Sequence, residues 1–95
     1  MIAVKVKLLG VFRGLSGESE ITLNPKQATV RSAIETLADL LPQKAGALLI
    51  DRYLNDPRPN ALILLNGKEI SVLKGLETTV KNGDELTIVP VAHGG

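Results

Sequence analysis

The stretch Ala61-Leu62-Ile63-Leu64-Leu65-Asn66-Gly67-Lys68-Glu69-Ile70 decides the fold of this chain. Its first five residues are an unbroken apolar run, which is the pattern of a short strand covered on both faces. Asn66-Gly67 is a strong signal for a two-residue type I′ turn, because both central residues of that turn need a positive φ angle. We therefore predict a strand over 61–65 that pairs with a strand starting at Lys68.

Upstream of this hairpin, the N-terminal quarter predicts another one. Residues 2–9 alternate between apolar and polar side chains, which is the period of a half-buried strand. Residues 10–17 contain three glycines, which we interpret as the hairpin loop. The alternation resumes at Ile21 and Leu23, so the return strand is expected there.

A single main helix is predicted between the two hairpins. Apolar residues recur at helical spacing from Val30 to Leu41, Thr29 is suited to be the N-cap, and Pro42 should end the helix. In the segment 43–60, the spacing of Leu48, Leu49 and Tyr53 indicates only a short helical turn. The proline-rich stretch 56–60 predicts a loop.

The C-terminal part predicts the last strand of the sheet. A loop over 71–81 and a turn at Asn82-Gly83-Asp84 lead to a strand from Glu85 to Val91 with Leu86 and Ile88 facing inward. The fold class expected from this order is α+β: a roll with a four- to five-stranded mixed sheet, one main helix and a short second helical turn. We expect one domain, residues 1–90, and a flexible C-terminal tail, residues 91–95. One helix covers one face, so the other sheet face should stay open.

Composition excludes several classes of function. A length of 95 residues fits one domain, and 11 basic against 10 acidic residues, with one Phe, one Tyr and no Trp, argue against a nucleic-acid binder. The absence of cysteine excludes disulfide scaffolds, thiolate metal sites and cysteine nucleophiles. No apolar stretch approaches a membrane span, so we expect a cytoplasmic protein without a membrane or nucleic-acid partner.

Three stretches together resemble the β-grasp, ubiquitin-like sulfur carriers, the family of the molybdopterin-synthase small subunit, the thiamine-pathway carrier and the ubiquitin-related modifiers. The first is the 64–70 hairpin, and the second is Gly75-Leu76-Glu77-Thr78 with Gly83-Asp84-Glu85-Leu86. The third is the terminal Gly94-Gly95. The resemblance implies the β-grasp fold.

The resemblance also implies a mode of action. The carboxylate of Gly95 would be adenylated by an E1-like activating enzyme with ATP and converted to a thiocarboxylate. Partners would be that enzyme, a molybdopterin synthase large subunit and a sulfurtransferase. The chain would have no cofactor, no metal and no catalytic residue of its own.

Within the family, the residues leave the pathway open. Val89-Pro90-Val91 stands where many molybdopterin-synthase small subunits have Phe-Pro-Pro, and His93-Gly94-Gly95 is more similar to the ubiquitin-related modifiers. The thiamine carriers are typically shorter and lack a segment like 43–60. Molybdopterin formation is the pathway that we expect first, and tRNA thiolation follows closely as the second.

The residues themselves are compatible with a working tail. Glycine at 94 and 95 has no Cβ to obstruct a narrow channel, and residues 91–95 extend over roughly 17 Å at about 3.3–3.6 Å per residue. His93 is interpreted as a solvated tail residue, with a hydrogen bond in a partner's channel as the alternative.

A docking patch is expected beside this tail. Leu9, Val89 and Val91 should point away from the helix and form it, unless the segment 43–60 half-covers them. Lysines, among them Lys5 and Lys7, are expected to be solvated, with a basic rim as the alternative.

Three hypotheses therefore stand. The first is a sulfur carrier acting through a Gly95 thiocarboxylate. The second is a protein modifier, whose activated Gly95 forms an isopeptide bond with target lysines. The third is an adapter that binds through the open sheet face and does not use its tail.

Overall fold

A five-stranded mixed sheet and three α-helices make up the part of the chain that the computed structural model describes, residues 2–50 and 56–91. The strands are β1 (Val4–Leu8), β2 (Glu20–Leu23), β3 (Ala61–Leu65), β4 (Lys68–Glu69) and β5 (Glu85–Pro90). The α-helices are α1 (Gly10–Ser16), α2 (Val30–Leu40) and α3 (Gln43–Leu49). Two 3₁₀ turns, Ile70–Val72 and Gly75–Glu77, lie between β4 and β5.

The strand order across the sheet is β2-β1-β5-β3-β4. β1 and β5 pair in parallel, whereas the other neighbours are antiparallel, so the sheet is mixed as expected. Both predicted strand pairs, β1 with β2 and β3 with β4, are confirmed. Asn66 and Gly67 have φ angles of 49° and 85°, which is the backbone that a type I′ turn requires.

The hydrophobic core lies between one face of the sheet and the helices. In β1, β3 and β5 every second residue is buried there, which is the period of a strand. The inward residues from the three central strands are Val4, Val6, Leu8, Ala61, Ile63, Leu65, Leu86 and Ile88.

The main helix, α2, lies where the sequence predicts it. The Thr29 hydroxyl oxygen accepts a hydrogen bond from the Ser32 N–H at 3.1 Å, so Thr29 is the N-cap. Ala33, Ile34 and Leu37 follow at helical spacing and are buried against the sheet. The helix ends at Leu40, before Pro42, as expected.

The prediction of a plain glycine loop between β1 and β2 was wrong, because residues 10–16 form helix α1. Gly17 is at its C-terminal end, with a φ of 76° and an N–H that donates to the Arg13 carbonyl oxygen at 3.0 Å. This left-handed position suits glycine as a helix cap. The helix places Phe12 in the core, where its side chain is fully buried.

The segment after α2 contains more helix than the predicted single turn. α3 runs over seven residues, Gln43–Leu49, and buries Ala45 and Leu49 in the common core. Tyr53, on which part of the prediction rested, lies outside the described residues. The loop expected at 56–60 is observed.

Candidate functional site

No element of the described residues packs on the sheet face opposite the helices, so within this part of the chain the face is open, as predicted. Strand alternation places on it the side chains of Lys5 and Lys7 from β1, Leu62 and Leu64 from β3, and Glu85, Thr87 and Val89 from β5. All seven are exposed or half-buried, in contrast to the fully packed residues between them. We call this surface the open face.

Three apolar residues lie side by side at one end of the open face. Leu8 is opposite Ile88 in the β1–β5 register and the Leu9 N–H donates to the Ile88 carbonyl oxygen at 3.1 Å, so Leu9 lies beside Val89. Val89 is in turn opposite Leu62 on β3. Leu9 and Leu62 are 42% and 38% exposed, and Val89 is half-buried. We call Leu9, Val89 and Leu62 the apolar row.

The apolar row lies at the start of the C-terminal segment. Val91 is two residues beyond Val89, and its N–H donates to the Asn60 carbonyl oxygen at 3.1 Å, which extends the β5–β3 pairing by one residue. Its side chain is 40% exposed. His93, Gly94 and Gly95 lie outside the described residues. The structure thus places Leu9, Val89 and Val91 on the surface, and their role as a docking patch stays a prediction.

The other half of the open face carries charged residues whose positive and negative charges are paired. The Lys7 ammonium lies 3.3 Å from a Glu85 carboxylate oxygen, and the Lys5 ammonium lies 3.5 Å from Glu20 on β2. Such exposed pairs add little stability, but they neutralise one another locally. Lys5 and Lys7 therefore do not form a basic rim. The feature of this face that is suited to bind a partner is its apolar row.

The segment 43–60 does not cover the apolar row with any part that the structure describes. Ala45 and Leu49 are buried in the core on the helix side of the sheet. Pro57 is buried on the same side and lines a shallow depression together with Ile34 and Leu76. The alternative that this segment half-covers the patch is therefore not supported by residues 43–50 and 56–60.

Two ion pairs lie beside that depression. The Arg58 guanidinium donates to both Asp56 carboxylate oxygens, at 2.9 and 2.6 Å, and these hydrogen bonds hold the pKa of Asp56 below its ordinary value. Arg31 on α2 donates to Glu77 at 2.7 Å. All four charges are paired, the first pair within one loop and the second between α2 and the second 3₁₀ turn.

Neither a metal centre nor a membrane span is found in the described part. Within residues 2–50 and 56–91, no group of three or more His, Asp or Glu side chains is placed to hold a metal ion. The longest described helix, α2, has 11 residues, and no helix there has the length and apolar character needed to cross a bilayer.

Leu62 and Leu64 are the surface residues that the sequence reasoning missed. The apolar run 61–65 predicts a strand covered on both faces, but Leu62 is exposed and Leu64 only half-buried. The described elements pack on one face, so that prediction was wrong for these two positions. Their apolar character nevertheless carried a signal, because a strand that needs one buried face has no folding reason to be apolar on the other.

Comparison with known proteins agrees with this architecture. The sequence model of the ThiS family matches residues 6–95. A protein of Archaeoglobus fulgidus, provisionally assigned as a sulfur carrier, is 28% identical over 99% of this chain and 100% of its own length.

Two solved structures show the same fold. Small archaeal modifier protein 1 from Methanosarcina acetivorans has a TM-score of 0.83 and 30% identity, over 100% of this chain and 98% of that one. A Pyrococcus furiosus protein, provisionally assigned as subunit 1 of a molybdopterin converting factor, has a TM-score of 0.75 and 26% identity, over 97% of this chain and 100% of that one. The expected ubiquitin-like β-grasp fold is confirmed.

Proposed function

This chain belongs to the ThiS family of small ubiquitin-like sulfur carriers and modifiers, and on that premise we propose that it is a sulfur carrier whose C-terminal Gly95 holds the sulfur. The observation that carries the proposal is the extent of the family match, which runs through the C-terminal Gly94-Gly95 to residue 95. The apolar row beside the strand that leads to this terminus supports it.

The chemistry requires a partner enzyme. A carboxylate is a poor electrophile, so an E1-like enzyme joins the Gly95 carboxylate to AMP from ATP and releases pyrophosphate. The outer sulfur of a persulfide on a sulfurtransferase then attacks the carbonyl carbon and displaces AMP, which gives an acyl disulfide. A second thiol of the partner cleaves the S–S bond, so that the thiocarboxylate is released and a disulfide stays on the partner. Because the sequence has no cysteine, the chain has no side-chain thiol to hold sulfur. The chain itself supplies the carboxylate and the docking surface, and no catalytic group.

We propose molybdopterin formation as the process that consumes this sulfur, with the chain as the small subunit of a synthase whose large subunit supplies the catalytic residues. The likeness to the Pyrococcus furiosus protein supports this assignment. Deleting the gene should then lower molybdopterin and leave tRNA thiolation unchanged. The opposite result would assign the carrier to tRNA thiolation.

A second candidate function is protein modification, in which activated Gly95 forms an isopeptide bond with a lysine. The likeness to the Methanosarcina acetivorans modifier favours it. Both functions use the same terminus and differ in the acceptor, which is sulfur in one case and an amine in the other.

The intact mass of the protein distinguishes these functions. The protein should be purified from its native cell without thiol-reactive reagents. A sulfur carrier shows a mass increase equal to one oxygen replaced by one sulfur, located at Gly95. A modifier shows an unmodified mass and conjugates whose target lysines carry the C-terminal peptide that ends in Gly94-Gly95. An adapter shows neither, and its binding does not change when Gly94 and Gly95 are removed.

The apolar row is the proposed docking surface for the activating enzyme. Val89→Asp places a charge in the centre of the row, where a docked partner would have to desolvate it. We expect the Kd for the enzyme to rise at least about tenfold, as for a central contact residue. Isothermal titration calorimetry measures this effect.

Two further variants make the test specific to the apolar row. Leu62→Asp should act in the same way, and it changes an exposed side chain, so folding is preserved. Thr22→Asp on β2 puts the same charge on an exposed position outside the row and should leave the Kd within twofold. An unchanged Kd in both row variants would remove this surface from the proposal.

A further inference from the structure

Gly10 and Pro90 lie so close together that a residue with a Cβ atom at position 10 would displace Pro90. A Cβ atom built on Gly10 would lie 2.6 Å from Pro90 Cγ and 3.3 Å from Pro90 Cδ. Both are atoms of a closed ring that cannot swing aside like the end of a long side chain. Gly10 also has a φ of 57°, in the left-handed region that favours glycine.

Pro90 occupies a position in the central strand where its missing N–H does no harm. The Leu9 N–H donates to Ile88, so the polar backbone groups of Ile88, and two residues later those of Pro90, face β1. A residue with an N–H at 90 could extend the ladder to β1. Proline ends that ladder without a buried, unpaired donor, at the point where the chain turns into α1.

On the other side, β5 stays paired with β3 to the last described residue. Pro90 is opposite Ala61, which is buried, and the next N–H, that of Val91, donates to Asn60. Pro90 thus has its ring against Gly10 at the start of α1 and its backbone opposite Ala61 on β3, directly before the C-terminal segment begins.

We propose that Gly10 and Pro90 form a steric latch that fixes the place at which the chain passes from β5 into Val91. Gly10 is then a positioning residue for Gly95. Its catalytic consequence rests on the proposed function, because only a tail that is activated at its end needs a fixed exit. The structural part of the latch is independent of that function.

Gly10→Ala tests the latch, and Gly17→Ala is its matched control. Gly17 has a similar positive φ, 76°, but open space where its Cβ would lie. Both variants therefore carry backbone strain, and only the first displaces Pro90. Hydrogen exchange of the Val91 amide should accelerate about tenfold more in Gly10→Ala than in Gly17→Ala, each relative to the core amide of Val6.

The enzymatic readout is pyrophosphate exchange by the cognate E1-like enzyme. The apolar row should still dock, so KM should stay within about twofold. The misdirected tail should lower kcat about tenfold, because small displacements of a reacting group are costly. Gly17→Ala should change neither constant.

Pro90→Ala provides a rescue. It removes the two ring atoms nearest to the added Cβ and leaves only Pro90 Cβ, 3.9 Å away, in ordinary contact distance. The double variant Gly10→Ala/Pro90→Ala should therefore recover most of the Val91 protection and of kcat.

The latch is refuted if Gly10→Ala behaves like Gly17→Ala, or if the double variant is no better than Gly10→Ala. If the wild-type chain shows no pyrophosphate exchange, the proposed function fails, and the exchange of Val91 still decides whether the latch exists.

Discussion

Deletion of Gly95 is expected to abolish adenylation of the chain and to leave its folding intact. The loss of one residue shortens the C-terminal segment by about 3.3–3.6 Å, so its carboxylate stops short of the reacting phosphorus atom. Misplacement by about 1 Å is enough to lower a rate by about 100-fold. We therefore expect pyrophosphate exchange to fall by at least about 100-fold.

Gly95→Ala is also expected to abolish adenylation, but by adding a side chain and not by shortening the chain. It keeps the length of the chain and adds a Cβ atom beside the reacting carboxylate, in a channel that must admit bare backbone. His93→Ala is the matched control within the same segment, because it retains both the length and the two glycines. We expect that variant to react at nearly the wild-type rate.

Folding must be measured beside the exchange assay. Circular dichroism and urea unfolding of both Gly95 variants should match the wild-type chain, because the substitution lies beyond the last strand, which ends at Pro90. Normal pyrophosphate exchange by either folded variant would contradict the proposal that adenylation requires Gly95 at the C-terminus.

The sheet of this protein could be predicted well from the sequence, because its strands are determined by interactions between residues that are close in sequence. The turn at Asn66-Gly67 needs positive φ angles that few residue pairs tolerate, and the alternation in β1 marks its buried face. The cap at Thr29 likewise depends on a contact three residues away. Signals of such short range can be found without knowledge of the tertiary structure.

The open face was predictable only in part, because its composition depends on what packs elsewhere. Leu9, Val89 and Val91 were expected there, since they alternate with inward residues. The exposure of Leu62 and Leu64 was not predicted. An apolar run has the same sequence pattern whether its second face is covered by the chain itself or is left exposed for a partner. Only the packing of α1, α2 and α3 on one side distinguishes these cases.

Helix α1 was missed for a different physical reason. Its seven residues are too few to be stable alone, and its sequence Gly-Val-Phe-Arg-Gly-Leu-Ser contains two glycines. Propensity therefore favours a loop, and tertiary packing of Phe12 overrides it. The glycines at 10 and 17 proved to lie at the ends of the helix, where left-handed backbone is needed, rather than in a hairpin turn.

Phe12→Ala is expected to be the most destabilising single substitution in this helix. Phe12 is the sole Phe of the chain and is fully buried, so its removal takes away the packing that holds α1 and leaves a cavity. Substitutions of this kind cost about 3–5 kcal/mol, against about 5–15 kcal/mol for the free energy of unfolding of a typical domain.

Urea unfolding measures this loss, and Val11→Ala is the control on the same helix. Val11 is 45% exposed, so its truncation should change the free energy of unfolding by less than about 0.5 kcal/mol. A loss below about 1 kcal/mol for Phe12→Ala would mean that α1 is not packed on the core as the structure has it. Because α1 begins at Gly10, against the last residue of β5, loosening this helix should also speed hydrogen exchange of the Val91 amide, which Val11→Ala should not do.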